Sequence, residues 1–440
     1  MRKESEAGEP VWAGEAGAAE GEEPILPGVR AAPPAATAEE EPPEVLPDGL
    51  LDRLTDDLSG FDFLPDWTTA DATAAEPPGL AGIPDMFGDT FFGSPRLFYS
   101  GNGTRSPAVD AAMVDLPIAG GSSRTKIGEN NKALPTSRVY FLYDYFHNAF
   151  QSTAAGRTAA NDFFVTSNDN SLDRYVIGWE QSLFCGNASV EVRMPLAGRH
   201  TFDFAQPPLE PAGTLQVRDG QVGNLAVILK QLLHADCRSA FSWGVGIGAP
   251  TGSNATAIID DQRFRIDNDA FYVSPFLALL HQPAGRLFFN GFLQLDVPIS
   301  GNRVRVQDLQ TGSMRRLGYW NDQILLHLDA TAGWWVYENP CASFLRGLAP
   351  LLELHYVTSR LQAADVISDG NSRGYSAYSS DGSYSVSSST EQLDLFTATI
   401  ALHVELACRT KLRIGGVLPL VDDSNRLFDA EFGFQISHDY

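Results

Sequence analysis

The sequence of 440 residues contains no run of 18 or more apolar residues, and positive charge is scarce in it. Because a helix needs about 20 apolar residues to span a bilayer, the first absence excludes a membrane-spanning helix. A closed β-barrel is then the only structure with which the chain crosses a membrane. The 31 lysines and arginines face 55 acidic residues, a net charge of −24, and form no cluster. This scarcity argues against a nucleic-acid partner.

Motifs for catalysis and for cofactor or metal binding are also missing. No Cys-x-x-Cys or Cys/His spacing typical of a zinc site occurs. The stretch GVGIGAPTG, residues 244–252, lacks the Gly-Lys-Ser/Thr ending of a phosphate-binding loop. In the stretch ISGNR no histidine stands two residues before Ser300, where membrane phospholipase barrels place their general base. We therefore expect no enzyme activity, no catalytic residue, no cofactor and no bound metal.

A secretory signal is not visible either. Such a signal places an apolar core after a basic start. Here Met1, Arg2 and Lys3 are followed by Glu4, and no apolar core appears before Pro24. Since the barrel pattern described below is extensive, we expect the export signal to lie upstream of the first residue.

Composition divides the chain into three parts. Residues 1–72 are rich in Ala, Pro and Glu, which bury too little apolar surface to offset chain entropy, so they are predicted to form a disordered acidic tail. Residues 73–136 hold apolar clusters such as FGDTFFGSPRLFY without a clean period. This N-terminal segment either plugs the lumen or packs at the mouth of the barrel predicted for residues 137–440.

From about residue 137 onward the hydrophobic period is two. In the last segment Phe428, Phe432 and Ile436 lie on one face, and Glu431 and Gln435 on the other. Such alternation places one face of a strand in an apolar medium and the other in a polar one. About twelve segments show the pattern: 137–150, 174–184, 189–199, 223–234, 240–251, 269–282, 286–300, 323–338, 347–359, 391–406, 411–421 and 428–440.

Strand lengths and connections distinguish a membrane barrel from a soluble sandwich. Most segments have 11 to 16 residues, whereas globular strands average about 5 to 6 and membrane strands need about 9 to 11. Short connections also alternate with long ones, as in outer-membrane barrels. We predict an all-β fold, a transmembrane antiparallel up-and-down β-barrel of about 12 strands, with a disordered N-terminal tail. A soluble β-sandwich with long hairpins is the alternative.

The four cysteines, Cys185, Cys237, Cys341 and Cys408, each fall in or beside a different short connection. They are therefore expected on one rim of the barrel. Neighbouring connections favour the pairs Cys185–Cys237 and Cys341–Cys408. Connections two strands apart are separated by about 10 Å, however, and a disulfide requires Cα atoms within about 7 Å. Disulfides and free thiols both remain open.

Polar residues on the inward face are the candidates for lining a lumen. They are Glu191, Arg193, Asp296, His327, Asp329, Glu353, His355, Glu405 and Arg413. Four of them, His327, Asp329, Glu353 and His355, share one parity on two successive strands, which would suit a metal or proton site if the register joined them. Polar residues are expected on any lumen wall, so we predict no bound metal. Acids outnumber bases, so conduction would mildly favour cations, and a wall without selectivity is equally consistent.

Several stretches resemble uncharacterised bacterial outer-membrane barrel proteins. The last strand, with Phe432, Phe434 and Ile436 before Tyr440, resembles the terminal strand that the barrel-assembly machinery recognises. NLAVILKQLL and FSWGVGIGAPTGS are similar to barrels associated with phenol degradation and with transport of hydrophobic compounds. KIGENNKALPTSRVYFLYDYFHNAF resembles an opening strand. The resemblance covers residues 125–440 and implies the barrel class rather than a solute.

These features predict a porin-like passive channel of the cell outer membrane, through which small solutes diffuse along a polar lumen. Outer-membrane lipid and the barrel-assembly machinery are the expected partners, and the solute stays open. Two other functions fit the sequence. One is a structural barrel anchor whose acidic tail binds another envelope component, and the other is a soluble β-sandwich binding protein.

Overall fold

The computed structural model describes residues 80, 82–89, 94–101, 108–157, 162–198, 201–204, 215–218, 222–259, 262–367, 377–379, 382–388, 393–421 and 426–440. The predicted disordered tail, residues 1–72, lies outside the described residues. Within the described part every regular element is a β-strand or a short 3-10 turn. None of the described residues forms a helix that is long and apolar enough to cross a membrane.

The alternating pattern produces 23 strands among the described residues. In chain order they are β1 (Pro95–Gly101), β2 (Ala108–Asp115), β3 (Arg138–Arg157), β4 (Phe163–Leu183), β5 (Ala188–Ala197), β6 (Thr201–Phe204), β7 (Leu215–Arg218), β8 (Leu225–Ala235), β9 (Ser239–Ala249), β10 (Ala255–Ile259), β11 (Gln262–Ile266), β12 (Tyr272–Ala284), β13 (Leu287–Pro298), β14 (Asn302–Asp308), β15 (Met314–Trp320), β16 (Ile324–Trp334), β17 (Tyr337–Glu338), β18 (Leu345–Gln362), β19 (Ala377–Ser379), β20 (Gly382–Ser388), β21 (Asp394–Leu406), β22 (Thr410–Pro419) and β23 (Ala430–Asp439). The 3-10 turns Phe184–Gly186 and Ala407–Arg409 connect β4 to β5 and β21 to β22.

Twelve of these strands form one closed antiparallel barrel. Their order around the wall is β3, β4, β5, β8, β9, β12, β13, β16, β18, β21, β22 and β23. The last strand then pairs with the first, from Ala430 opposite His147 to Asp439 opposite Arg138. The predicted barrel of about twelve strands is confirmed. The β-sandwich alternative is wrong, because a sandwich consists of two separate sheets packed face to face.

The two faces of the barrel wall have opposite polarity. On β13, Phe289 and Leu293 point outward and are each 39% exposed, whereas Asn290, Gln294 and Asp296 point inward and are buried. Large apolar side chains are exposed all around the outside: Val139, Ile177, Leu229, Ile247, Leu277, Leu328, Leu354, Ile400, Ile414 and Phe432. Water-soluble proteins place such residues inside. The outer surface of this wall therefore suits hydrocarbon, as in transmembrane barrels.

Connections differ in length at the two ends of the barrel. At one end, which we call the turn rim, consecutive wall strands are joined by short turns, as between β4 and β5 or between β8 and β9. At the other end, the outer rim, the predicted long loops 151–173, 200–222, 252–268, 301–322 and 360–390 contain strands where the structure describes them. These strands are not among those predicted from the sequence. Several of these strands have only 3 to 7 residues, too few for alternation to separate them from loop composition.

Six strands at the outer rim form a second sheet, the outer sheet, in the order β15, β14, β11, β10, β7 and β6. In addition, β1 pairs with β2 and β20, and β2 pairs with the end of β3. A separate apolar core, which includes Leu97, Val114, Phe264, Val304 and Trp320, lies among these strands. Where the structure describes it, the outer rim is thus a packed β-structure rather than a set of loops.

Candidate functional site in the barrel lumen

The chain that precedes β3 runs through the inside of the barrel. Residues 83–89 and 116–136, which we call the lumenal segment, are almost entirely buried and form neither helix nor strand. The β1–β2 hairpin at the outer rim joins these two passes. Inward side chains of β3, β4, β5, β8, β13, β16, β18, β21, β22 and β23 contact the segment. Because its partners come from all around the wall, the segment occupies the lumen.

Wall side chains bind the backbone of the first pass. The carboxylate of Glu353 accepts hydrogen bonds from the N–H groups of Phe87 and Gly88, both at 2.8 Å. The amide of Gln435 donates to the carbonyl of Phe87, also at 2.8 Å. Buried backbone groups need such partners, and the second pass supplies some of them, through Met86 N–H to the carbonyl of Asn131 and Asn130 N–H to the carbonyl of Phe87. The wall side chains supply the partners that the second pass does not.

Asp85 connects the first pass to the wall near the turn rim. Its carboxylate lies 3.0 Å from Arg138 and 3.1 Å from Arg413, and Lys132 of the second pass is 4.0 Å away. Arg138 also lies 2.8 Å from Glu180. Because all these groups are buried, removing one of them would leave another charge uncompensated, which costs about 3–5 kcal/mol.

A cluster of carboxylate, ammonium and imidazole groups joins both passes to β16 and β18. Lys126 contacts Asp89, and its Nζ lies 2.8 Å from Asp329. His355 Nδ1 lies 2.8 Å from Asp329 and 3.7 Å from Asp89, and its Nε2 lies 3.3 Å from Glu353. Asp89, Asp329 and His355 offer three possible metal-ligand atoms within 4.8 Å of one another. The Lys126 ammonium already bridges both carboxylates, so the chain itself compensates part of their charge.

Arg124 fixes the second pass near the outer rim. Its guanidinium lies 2.9 Å from Asp296 and 2.9 Å from Asp322, and it donates to the carbonyl of Gln323. The ring of Tyr272 lies 4.9 Å from the guanidinium carbon. A planar fork of five donors suits such a buried position, because several acceptors can be satisfied at once.

On the opposite side of the lumen, Arg193 and Lys230 bind carbonyl groups of the second pass. Arg193 donates to the carbonyl of Lys126 at 2.8 Å and lies 2.9 Å from Glu191. Lys230 donates to the carbonyl of Lys132 at 3.0 Å. The second pass is therefore tied to the wall on two sides of the lumen.

The structure places eight of the nine candidate lumen-lining residues in buried positions: Glu191, Arg193, Asp296, His327, Asp329, Glu353, His355 and Arg413. Glu405 is only half-buried, close to the turn rim. Asp329, Glu353 and His355 come together, and His327 is buried two residues before Asp329 on β16. Most of these side chains contact the lumenal segment.

The favoured disulfides are absent from the structure. Cys185, Cys237 and Cys341 are free and exposed, so neither Cys185–Cys237 nor Cys341–Cys408 is formed. The side chain of Cys408 itself lies outside the described residues. The reason is geometric, because two strands separate neighbouring turns by about 10 Å, which exceeds the reach of a disulfide.

Several buried charged residues of the lumenal segment were not predicted from the sequence, among them Asp85, Asp89, Arg124 and Lys126. They stand in a stretch without a period, so no face marks them as buried. The signal that was available is their position among apolar residues directly before a barrel whose wall carries both signs of charge. The stretch KIGENNKALPT belongs to the lumenal segment, and β3 begins only at Arg138.

Comparisons with known proteins do not assign a family. No protein-family profile matches the sequence, and no curated protein matches it. An outer-membrane channel from Pseudomonas putida F1 is similar in structure at 10% identity, with 72% of this chain and 100% of that chain covered and a TM-score of 0.42. A mutant of the monoaromatic hydrocarbon channel TodX gives 13% identity, 74% and 98% coverage and a TM-score of 0.39. The NanC porin is similar at 8% identity, with 69% of this chain and 99% of that chain covered and a TM-score of 0.33. Likeness at this level assigns neither a solute nor a mechanism.

Proposed function

We propose that this chain is an outer-membrane channel for small solutes that its own lumenal segment closes in the present conformation. The apolar outer surface of the wall supports insertion into outer-membrane lipid. The last strand, β23, would present the recognition signal to the barrel-assembly machinery. Eight-stranded barrels are filled by their own side chains, whereas wider barrels hold water or a plug. With twelve strands, this wall requires such a filling.

The observation that carries the proposal is the polar contact between the lumenal segment and the wall. The backbone of Phe87 and Gly88 is bound by the carboxylate of Glu353, and Asp85 is bound by Arg138 and Arg413. Water satisfies such groups almost as well as protein does. The segment can therefore move and be replaced by water while the backbone hydrogen bonds of the wall stay intact.

An opened lumen would carry acids and bases in nearly equal numbers. Among the described wall strands the buried acids are Asp144, Glu180, Glu191, Asp296, Asp329, Glu353 and Glu431, and the buried bases are Arg138, Arg174, Arg193, Lys230, Lys411 and Arg413. The ion selectivity of a pore depends on the net charge of its lining groups, so we expect only a weak preference for cations. Passage would be passive diffusion, without a cofactor.

Single-channel recordings in planar bilayers test the closure. Glu353→Ala removes the acceptor of two buried N–H groups, each of which costs about 1–3 kcal/mol when unsatisfied. Gly433→Leu displaces the Phe87 ring, because a Cβ at Gly433 would lie 2.5 Å from Phe87 Cζ. We expect almost no conductance from the unmodified protein and discrete openings from both variants. Glu338→Ala, at an exposed glutamate of the turn rim, is the matched control and should stay closed.

The filled lumen also supports a second function, a structural anchor whose acidic tail, residues 1–72, binds another envelope component. The same recordings separate the two functions. If both variants remain folded, judged by a band shift on boiling, yet neither conducts, the channel is excluded and the anchor is supported. A large steady conductance in the unmodified protein would contradict closure by the lumenal segment.

A further inference from the structure

The exposed face of the outer sheet concentrates arginine in a strongly acidic chain. It comprises Arg263 and Arg265 of β11, Arg303 and Arg305 of β14, and Arg316 of β15, which we call the arginine face. Strands β11, β14 and β15 thus place exposed or half-exposed guanidiniums on a single surface. The whole chain carries a net charge of −24. A positive surface in such a chain is a local feature that its overall composition does not predict.

The strand register places three of these arginines side by side. Arg265 is directly opposite Arg305, and Arg305 is directly opposite Arg316. Like charges at directly opposed positions of a sheet destabilise it. An arrangement with this penalty is expected where a ligand of opposite charge compensates it.

Acidic neighbours compensate the arginine face only in part. Asp267 lies 2.8 Å from Arg265 and 2.5 Å from Arg305, and Asp269 lies 2.6 Å from Arg303. The hydrogen bond from Arg303 holds the pKa of Asp269 below its ordinary value. Among the described residues of this face, two aspartates oppose five guanidiniums, so three positive charges are left without a carboxylate.

The two remaining arginines have no acid to pair with among the described residues. Arg263 donates to the side-chain oxygen of Gln307 at 3.2 Å. Arg316 donates to the hydroxyl of Tyr319 at 3.4 Å, and its guanidinium carbon lies 5.2 Å from the centre of that ring. Both therefore retain donors that an anionic ligand can use.

The arginine face continues the lipid-facing side of the wall. On β13 and β14 the outward residues are odd-numbered, from Leu293 to Arg303 and Arg305. Between the apolar wall and the arginines lie Ile299, 64% exposed, and Phe271, 48% exposed, whose backbones are joined by a 2.8 Å hydrogen bond. Apolar surface thus passes directly into a row of guanidiniums, which is the order of acyl chain and phosphate in a membrane lipid.

We propose that the arginine face binds the phosphate groups of a glycolipid in the outer leaflet. Guanidinium forks bind phosphate with two parallel hydrogen bonds, and Ile299 and Phe271 contact the upper acyl region of the same molecule. The sheet face is open rather than enclosed by a pocket, which suits a headgroup held at a membrane surface rather than a solute taken from water. This inference rests on the proposed outer-membrane location, but it does not require conduction.

Lipid binding by the full chain in detergent tests the inference. The probe is lipopolysaccharide with both lipid A phosphates, compared with the same preparation after enzymatic dephosphorylation, and with inorganic phosphate as competitor. We expect Arg263→Gln/Arg305→Gln/Arg316→Gln to weaken binding about tenfold, as the loss of three exposed charge contacts implies. The matched control is Arg238→Gln/Arg286→Gln/Arg409→Gln, three exposed arginines of the turn rim, and its affinity should stay within about twofold of the unmodified protein.

Several outcomes would overturn the inference. The arginine face is excluded as a phosphate site if Arg263→Gln/Arg305→Gln/Arg316→Gln binds lipopolysaccharide as tightly as the unmodified protein does. It is also excluded if the unmodified protein binds phosphorylated and dephosphorylated lipopolysaccharide equally. Displacement of the lipid by millimolar inorganic phosphate assigns the face to a soluble anion instead. If Arg263→Gln/Arg305→Gln/Arg316→Gln shows no heat shift on a gel and is therefore not folded, the double variant Arg263→Gln/Arg316→Gln replaces it. Neither Arg263 nor Arg316 forms an ion pair with a described residue. The bilayer recordings test the channel proposal and the lipid-binding measurements test the phosphate site, so either proposal can be contradicted without the other.

Discussion

Among single residues, glycines on the inner face of the wall make room for aromatic rings from the neighbouring strand. Gly178 is opposite Tyr140, Gly244 is opposite Phe276, and Gly333 is opposite Phe288. Each ring covers the glycine of its cross-strand partner, which shields the backbone that the missing side chain leaves bare. The sequence shows these glycines only as alternation partners, since the ring that covers each one belongs to another strand.

Gly333→Ala tests one of these pairs. A Cβ at Gly333 would lie 2.1 Å from Phe288 Cζ and 2.8 Å from a methyl group of Leu351, so the ring must leave its position. We expect the free energy of unfolding to fall by about 1–3 kcal/mol, the usual effect of overpacking. Urea titration of the folded protein in detergent measures the change.

Gly291→Ala is the matched control for this substitution. A Cβ there has no neighbour nearer than 3.6 Å, so the barrel should tolerate it with little change. If both alanine variants have the same stability as the unmodified protein, the close packing of the Phe288 ring on Gly333 does not contribute to the free energy of unfolding.

Among the strands, β23 has the largest structural role because it closes the barrel. It pairs with β22 on one side and with β3 on the other, so its backbone groups are used on both edges. Its alternation was visible in sequence, from Phe432 to Ser437. The partner across the seam was not, because β3 begins almost 300 residues earlier in the chain and no local pattern encodes that distance.

Ile436→Pro should prevent closure. Ile436 is opposite Leu412 on one side and Phe141 on the other. Proline has no N–H to donate to a ladder and is found at sheet edges or bulges rather than inside a paired strand. We expect the heat-shifted folded band to disappear from the gel, whereas Ile436→Val, which keeps the N–H and a β-branched side chain, should retain it. A folded band in the proline variant would contradict the seam.

For the whole molecule, the apolar outer surface and the charged lumen divide the tasks of membrane insertion and closure. Leu354 is 44% exposed near the middle of β18. Because an arginine facing lipid near the bilayer midplane destabilises a barrel by about 2–4 kcal/mol, we expect Leu354→Arg to reduce stability by that amount. Urea titration after insertion into phospholipid vesicles provides the measurement.

Met314→Arg is the comparison at the outer rim. Met314 is 57% exposed at the start of β15, outside the barrel wall. The added charge stays in contact with water there, so stability should change by no more than about 0.5 kcal/mol. Equal effects at the two positions would show that the surface around Leu354 does not face hydrocarbon.

The hydrophobic period, the number of wall strands and the parity of side chains such as Glu353 and Arg413 are readable from the amino-acid sequence, because alternation is a local property of each strand. The contacts of Glu353 with the backbone of Phe87 and of Lys126 with Asp329, in contrast, arise only when the chain has folded. Glu353 and Phe87 are 266 residues apart, and one partner of each pair, Phe87 or Lys126, lies in a segment without any period. Their meeting depends on where an irregular chain runs inside a closed wall, which no spacing of residue types encodes.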